Sequence, residues 1–225
     1  MLERYRDIGI CKNDINVFLE LVENDIGSVP EERMRNIAKG ILFNKKIFEY
    51  KNLLLKHYYE CLLSDMLSLI HSLGVKSNRL FFTTYRSLIE NFIRVCLKYE
   101  ETNETGVRNM FGEFRSKYNS SEKEFIDYLE GEYGKCCNVV HSNIQGNLEM
   151  YSYYEELLQS DEMDESMINE GLQTMSTFYN KCKKFIVESN SVLMDEMFYN
   201  HKELLKYLIG ESNYKQFERN IYSDE

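Results

Sequence analysis

The sequence predicts an all-α protein, and three observations carry that reading. Across 225 residues there is one Pro, no Trp and only 11 Gly, so few positions force the chain out of a helix. Leu, Glu, Lys and Met, all good helix formers, are abundant. Apolar residues recur at three- and four-residue spacing through most of the chain, with little strand-like alternation. The length suffices for a sizeable core. A single domain is expected over residues 1–225, with N-terminal helices over 1–44 and a helical tail over 191–225.

Taken in order, Asn13 reads as the N-cap of a short amphipathic helix that places Ile15, Val17, Phe18, Leu21 and Val22 on one side. Asp25-Ile26-Gly27-Ser28 ends it. Pro30 suits the first turn of the next helix, where Glu31 and Glu32 complement the positive end of the dipole. From Asn44, the series Ile47, Tyr50, Leu54, Tyr58, Leu62, Met66, Leu69 and Leu73 keeps helical spacing up to Gly74. That predicts a long core helix of about 40 Å, long enough to serve as a spine.

A helix from Ser77 to about Tyr99 carries the stripe Phe81, Tyr85, Leu88, Phe92, Val95 and Cys96, with Arg86, Glu90 and Arg94 along one flank, each a turn from the next. A shorter helix over Thr105–Tyr118 follows. Ser121 and Glu124 have capping-box spacing and open the helix that leads to His141. Gly131 and Gly134 in that helix mark a kink or a close approach by another backbone. Leu148–Leu158 is aromatic-rich and suits helix or extended chain, with helix the preferred reading, and Gln159-Ser160-Asp161-Glu162 reads as an acidic linker. A second long helix carries Met167, Ile168, Leu172, Met175, Tyr179, Cys182 and Ile186. The tail, His201 to Ile221, reads as short helices broken at Gly210.

The formal net charge of −10 repels polyanions at long range and argues against a broad nucleic-acid-coating surface. Basic residues are clustered all the same. Lys45, Lys46, Lys51 and Lys56 form one group, Arg79, Arg86, Arg94 and Lys98 a second, and Arg108, Arg115 and Lys117 a third. The six cysteines form no C-x-x-C pair and fall mostly within apolar helical patterns, so a reduced, buried role is expected. The charged opening Met1-Leu2-Glu3-Arg4-Tyr5-Arg6-Asp7 is unlike a signal peptide, and no apolar run approaches membrane-span length. A cytoplasmic protein that does not engage the membrane is the expectation.

Chemistry-bearing motifs are few. There is no H-x-x-x-H, H-E-x-x-H or cysteine–histidine cluster for a metal and no glycine-rich phosphate loop, so no metal or cofactor is implied. His57 and His71 read as ordinary helix residues. Cys137 precedes His141 by one turn, a pair more often explained by packing than by a thiol nucleophile. His141 itself ends a helix and leads into the polar run Ser142-Asn143-Ile144-Gln145-Gly146-Asn147. Two readings stand side by side: a histidine favoured beside the negative end of a helix dipole, or a general base at the border of core and solvent.

The stretch Thr84-Tyr85-Arg86-Ser87-Leu88-Ile89-Glu90-Asn91-Phe92, followed by Tyr133-x-x-x-Cys137-x-x-Val140-His141-Ser142 and a long C-terminal helix, resembles the HEPN superfamily. Within it the chain is similar to the HEPN-like branch with an R-S-L-x-E helix and a Y-x-x-x-S-x-x-V-H helix end; Cys137 stands where that branch has Ser. The resemblance covers about residues 45–190 and implies a HEPN-like helical bundle with two long core helices and flanking short ones. It implies a homodimer, and a metal-independent endoribonuclease acting as a toxic effector in a prokaryotic phage-defence or toxin–antitoxin system. RNA is then the substrate, and an antitoxin or other defence protein the partner.

On that reading His141 is the acid or base and Lys135 stands in the window where an Arg is expected. Arg86 and Lys135 stabilise phosphate charge, and Glu90 orients Arg86. At 100° per residue, Lys135 lies about 120° around the helix from His141, whereas Gly134 lies within about 20° of it. The alternative is a non-catalytic HEPN-like module that binds a protein or a nucleotide. The aromatics Phe81, Phe82, Tyr85, Phe92 and Phe111 exceed what one helical face needs, which adds to the expectation of a dimer.

Overall fold

The structure, a computed structural model, describes residues 2–51, 56–118, 122–141 and 149–222. All regular elements among them are helices, as the composition predicts. They are α1 (Leu2–Ile26), α2 (Glu31–Lys51), α3 (Lys56–Gly74), α4 (Asn78–Leu97), α5 (Val107–Lys117), α6 (Lys123–Val140), α7 (Met150–Asp161), α8 (Glu165–Ser189), α9 (Ser191–Met197), α10 (Lys202–Ile209) and α11 (Glu211–Tyr222). The chain divides into two compact units, residues 1–53 with 172–225, and residues 54–171. Among the described residues no helix is long and apolar enough to cross a membrane.

The unit of residues 54–171 is organised around α4. Its core face, Phe81, Tyr85, Leu88, Ile89 and Phe92, is buried, and α3 and α6 pack against it. Tyr85 meets Glu132 and Phe92 stacks edge-on with Phe125. As one partner number rises the other falls, so α4 and α6 run antiparallel. The N-terminus of α4 is closed by Ser77, whose Oγ accepts from Leu80 N at 3.1 Å and donates to Asp161 at 2.7 Å. Met163 N donates to Lys76 O at 2.8 Å beside an isolated bridge between Ser77 and Glu162. Lys98 ends α4 in the left-handed conformation, φ 59 and ψ 43, where glycine is the usual residue.

The other unit pairs α1, α2, α10 and α11 with the segment of α8 that falls within it. Here a Cβ on Gly40 of α2 would stand 2.9 Å from Tyr179 Cβ of α8, so glycine is what allows the two helices to approach this closely. Asn36 Nδ2, one turn earlier, donates to Ser176 Oγ at 3.4 Å.

Several expected boundaries move. Asn13 is no cap, because α1 runs unbroken from Leu2 to Ile26. Its buried stripe is Cys11, Ile15 and Val22, while Val17 and Leu21 are exposed. Cys11, one turn before Ile15, extends the apolar period upstream and keeps the helix going. The spine expected from Asn44 to Leu73 falls in α2 and α3, and residues 52–55, with Leu54 of its apolar series, lie outside the described residues. Ser121 of the capping box also lies outside them, as does the polar run 142–147. The acidic linker shrinks, since α7 continues to Asp161. The second long helix contains its whole expected stripe, Met167 to Ile186, and ends at Ser189, with Asn190 leading into α9. The tail does break at Gly210, whose φ of +84 no other residue type adopts easily.

Gly131 and Gly134 do not mark a close approach by another backbone. α6 is continuous from Lys123 to Val140, and a Cβ at either glycine would meet nothing within 4 Å. The aromatic excess is absorbed within the chain: Phe81, Tyr85, Phe92 and Phe111 are all buried and Phe82 is half-buried. That group therefore offers no broad free surface for a second subunit.

Candidate functional site

α4 presents Arg86, Glu90 and Arg94 one turn apart, at the edge of the core, with side-chain exposures of 30%, 15% and 22%. Arg86 Nε donates to Glu90 Oε1 at 3.2 Å and to Tyr133 Oη at 3.0 Å. Tyr133 Oη in turn donates to Glu90 Oε1 at 3.0 Å. Arg94 Nη2 donates to the other carboxylate oxygen at 3.2 Å, and its Nη1 to Asn91 Oδ1 at 3.2 Å. One carboxylate thus serves two guanidinium groups and a phenol, leaving the cluster with one net positive charge. Among the described residues, Arg86 Nη1 and Nη2 make no hydrogen bond, so the outer edge of the guanidinium is available for an anion.

Rings hold this geometry. Tyr133 lies under the Arg86 guanidinium at 5.2 Å from the ring centroid, and Phe111 meets Tyr133 edge-on at 5.5 Å. Burial, together with the neighbouring Glu90 carboxylate, pushes the Tyr133 phenol well above its ordinary range, so it remains a neutral donor. Arg94 lies over the ring of Tyr58 at 5.4 Å.

Behind this cluster sits a second acid. Asp65 of α3 accepts from Ser87 Oγ and from Asn91 Nδ2, each at 2.8 Å on Oδ2. Desolvation raises its pKa against the pull of those two donors. Asn91 therefore joins the two carboxylates, with Nδ2 on Asp65 and Oδ1 on Arg94.

Lys135 belongs to a different network. Its ammonium meets the buried Glu132 at 2.5 Å, whose other oxygen accepts from Tyr85 Oη at 3.2 Å, and Tyr128 Oη lies 3.3 Å from Tyr85 Oη. Lys135 remains 68% exposed along its side chain, but its charge is matched by Glu132. His141 is the C-cap of α6; its N–H bonds back to Cys137 O at 2.9 Å, and the residue is exposed. Inward support for that last stretch comes from Cys136, which is fully buried, whereas Cys137 and Val140 are half-buried. Burial, with Glu132 close by, pushes the Cys136 thiol up to about 12, far from a reactive thiolate.

The four residues singled out in the sequence therefore do not meet at one point. Arg86 and Glu90 share a cluster, and its contact on α6 is Tyr133. His141 stands eight residues further along that helix, about 12 Å at 1.5 Å per residue. Because α4 and α6 are antiparallel, that places His141 toward the N-terminal end of α4, away from Arg86. Lys135 is two residues from Tyr133, about 200° around α6.

Sequence reasoning singled out Tyr133 only as part of a motif, and missed Asn91 and Asp65 as members of the site. The available signal was a polar Asn91 inside the apolar stripe between Leu88 and Phe92. His57 is a partly exposed helix residue with Cys61 one turn on, its Sγ 3.7 Å from Nε2. Glu101 lies 3.7 Å from Nδ1. The two neighbours face opposite ring nitrogens and do not converge on one cation. Comparisons of the chain with protein-family models, with curated proteins and with solved structures return no match.

Proposed function

We propose that this chain is a non-catalytic HEPN-like module that holds a nucleotide phosphate at Arg86. The observation that carries the reading is the Arg86–Glu90–Arg94–Tyr133 cluster itself. It is half-buried, cross-braced by hydrogen bonds, and retains a net positive charge with the outer edge of Arg86 unused among the described residues. Such a group is preorganised to accept a phosphate oxygen pair without losing side-chain entropy. Catalysis needs more. An acid or base must reach the reacting oxygen at hydrogen-bond distance, and about 12 Å along α6 separates His141 from the level of Arg86.

The second reading is the metal-independent endoribonuclease expected from the resemblance, working in a prokaryotic defence or toxin–antitoxin setting. The exposure of His141 and of Lys135 near the same end of α6 favours it. On this reading the charge on the scissile phosphate is met by Lys135 or by a group from a second copy of the chain, because Arg86 is out of range.

Purified full-length protein incubated with total RNA in EDTA separates the two. The module reading expects no cleavage, together with nucleotide binding that Arg86→Gln weakens by about tenfold, the equivalent of one charge-assisted bond. Cleavage that persists in EDTA and vanishes in His141→Ala would reverse the order of the two readings.

A further inference from the structure

The unit of residues 1–53 and 172–225 contains a lysine with no obvious reason to be where it is. Lys183 of α8 is only 3% exposed. Its ammonium donates to Asn36 Oδ1 at 3.0 Å, a neutral acceptor, and among the described residues it pairs with no carboxylate. A buried ammonium held by one amide oxygen is far from satisfied, since it carries three donors and a full charge. The strongest charge acting on it has the same sign. Lys39 of α2 lowers the pKa of Lys183, after desolvation, and is itself lowered by desolvation and by Arg35 and Lys12.

Of these groups, Arg35, Asn36 and Lys39 border one cavity. A cleft of about 610 Å³ is lined by Glu32, Arg33, Arg35, Asn36, Lys39 and Ser176. Asn36 is the wall between the cleft and Lys183: it accepts from Lys183 on Oδ1 and donates through Nδ2 to Ser176 Oγ at 3.4 Å. Three cations and one carboxylate face the cleft, with a fourth cation one amide behind it. Arg35 is partly neutralised by Glu31 at 2.7 Å, and Lys39 is steadied over the Tyr207 ring at 4.2 Å. The volume lies in the range of small-ligand sites. Lys39 and, behind Asn36, Lys183 carry positive charge that no carboxylate among the described residues meets at ion-pair distance, which suits an anion.

We infer that this cleft between α2 and α8 is a binding site for a phosphate monoester, held by Lys39, Asn36 and Ser176, with Lys183 supplying charge from behind. Among the described residues neither lysine has a carboxylate partner, and the anion would provide that counter-charge. This site shares no residue with the Arg86 cluster, and the inference does not rest on the function proposed there.

Inorganic phosphate and adenosine monophosphate are the probes, added to the full chain at fixed ionic strength against chloride. Thermal melts should rise with phosphate, and the ε-carbon resonance of labelled Lys183 should show its pKa moving upward on binding. Lys183→Met should abolish the phosphate-dependent rise while melting at least as high as wild type in chloride. Lys39→Gln, at the half-buried rim, should weaken binding by about tenfold, the loss of one charged contact. Absence of any phosphate-specific shift in the wild type would overturn the inference. So would a shift that survives in Lys183→Met and Lys39→Gln, or one abolished by Arg86→Gln, which would assign the anion to the other cluster.

Discussion

Glu90 is the carboxylate on which two arginines and a tyrosine depend, so Glu90→Gln tests whether the cluster is a built site or a solvated flank. The amide keeps the side-chain shape and one acceptor oxygen but leaves Arg86 and Arg94 without a counter-ion at 3.2 Å each. Breaking a fully buried pair costs about 3–5 kcal/mol, and an exposed helix pair only about 0.3–0.5. With 15–30% of these side chains exposed, the loss should fall between, at about 2 kcal/mol. For a chain of this length that corresponds to a fall of about 4–8 °C in melting temperature. Urea titration followed by circular dichroism would measure it, with an unchanged slope showing that the fold is intact. Arg86→Met, alone and combined with Glu90→Gln, should give a coupling energy of about 1 kcal/mol. A loss below about 0.5 kcal/mol with no coupling would show that these charges behave as an ordinary surface pair, and the argument for preorganisation would fall with it.

Four further outcomes follow from local geometry. Gly40→Ala should destabilise by about 1–2 kcal/mol by chemical denaturation, because the new methyl meets Tyr179 Cβ at 2.9 Å and overpacking outweighs the helix-propensity gain. Gly131→Ala, with nothing within 4 Å, should instead stabilise by up to about 1 kcal/mol. Lys98→Gly should stabilise by about 1 kcal/mol in the same assay, since Lys98 holds φ 59 at the end of α4 and its side chain is exposed with no hydrogen bond or ion pair among the described residues. Lys183 is lowered from 10.5 to about 8, chiefly by burial. Between those values the unfolded chain binds the proton and the folded one releases it, so stability should rise with pH from about 8 to about 10. The rise should reach up to about 3 kcal/mol, read as the difference between wild type and Lys183→Met; a flat difference would show that Lys183 is solvated.

The all-helical class, the stripe of α4, its start at Ser77 and the break at Gly210 were legible in the chain itself. Each depends on interactions within a few residues: apolar periodicity, a serine hydroxyl in reach of the third N–H, a glycine where φ is positive. Arg86–Glu90–Arg94 was legible for the same reason, because residues four apart on a helix are neighbours wherever the helix lies. What the local pattern does not contain is which turn of one helix meets which turn of another. The antiparallel register of α4 and α6 delivers Tyr133 to the Arg86–Glu90 pair and carries His141 about 12 Å past it, although all stand in motifs that read as one site. Lys135 looked like a cation for a ligand until Glu132, three residues away, proved to be buried against Tyr85 and to hold it. The buried Lys183 was indistinguishable in sequence from its exposed neighbours Lys181 and Lys184. Only the packing of α8 against α2, made close by Gly40, takes that one ammonium out of water and leaves it on an amide oxygen with no carboxylate partner among the described residues.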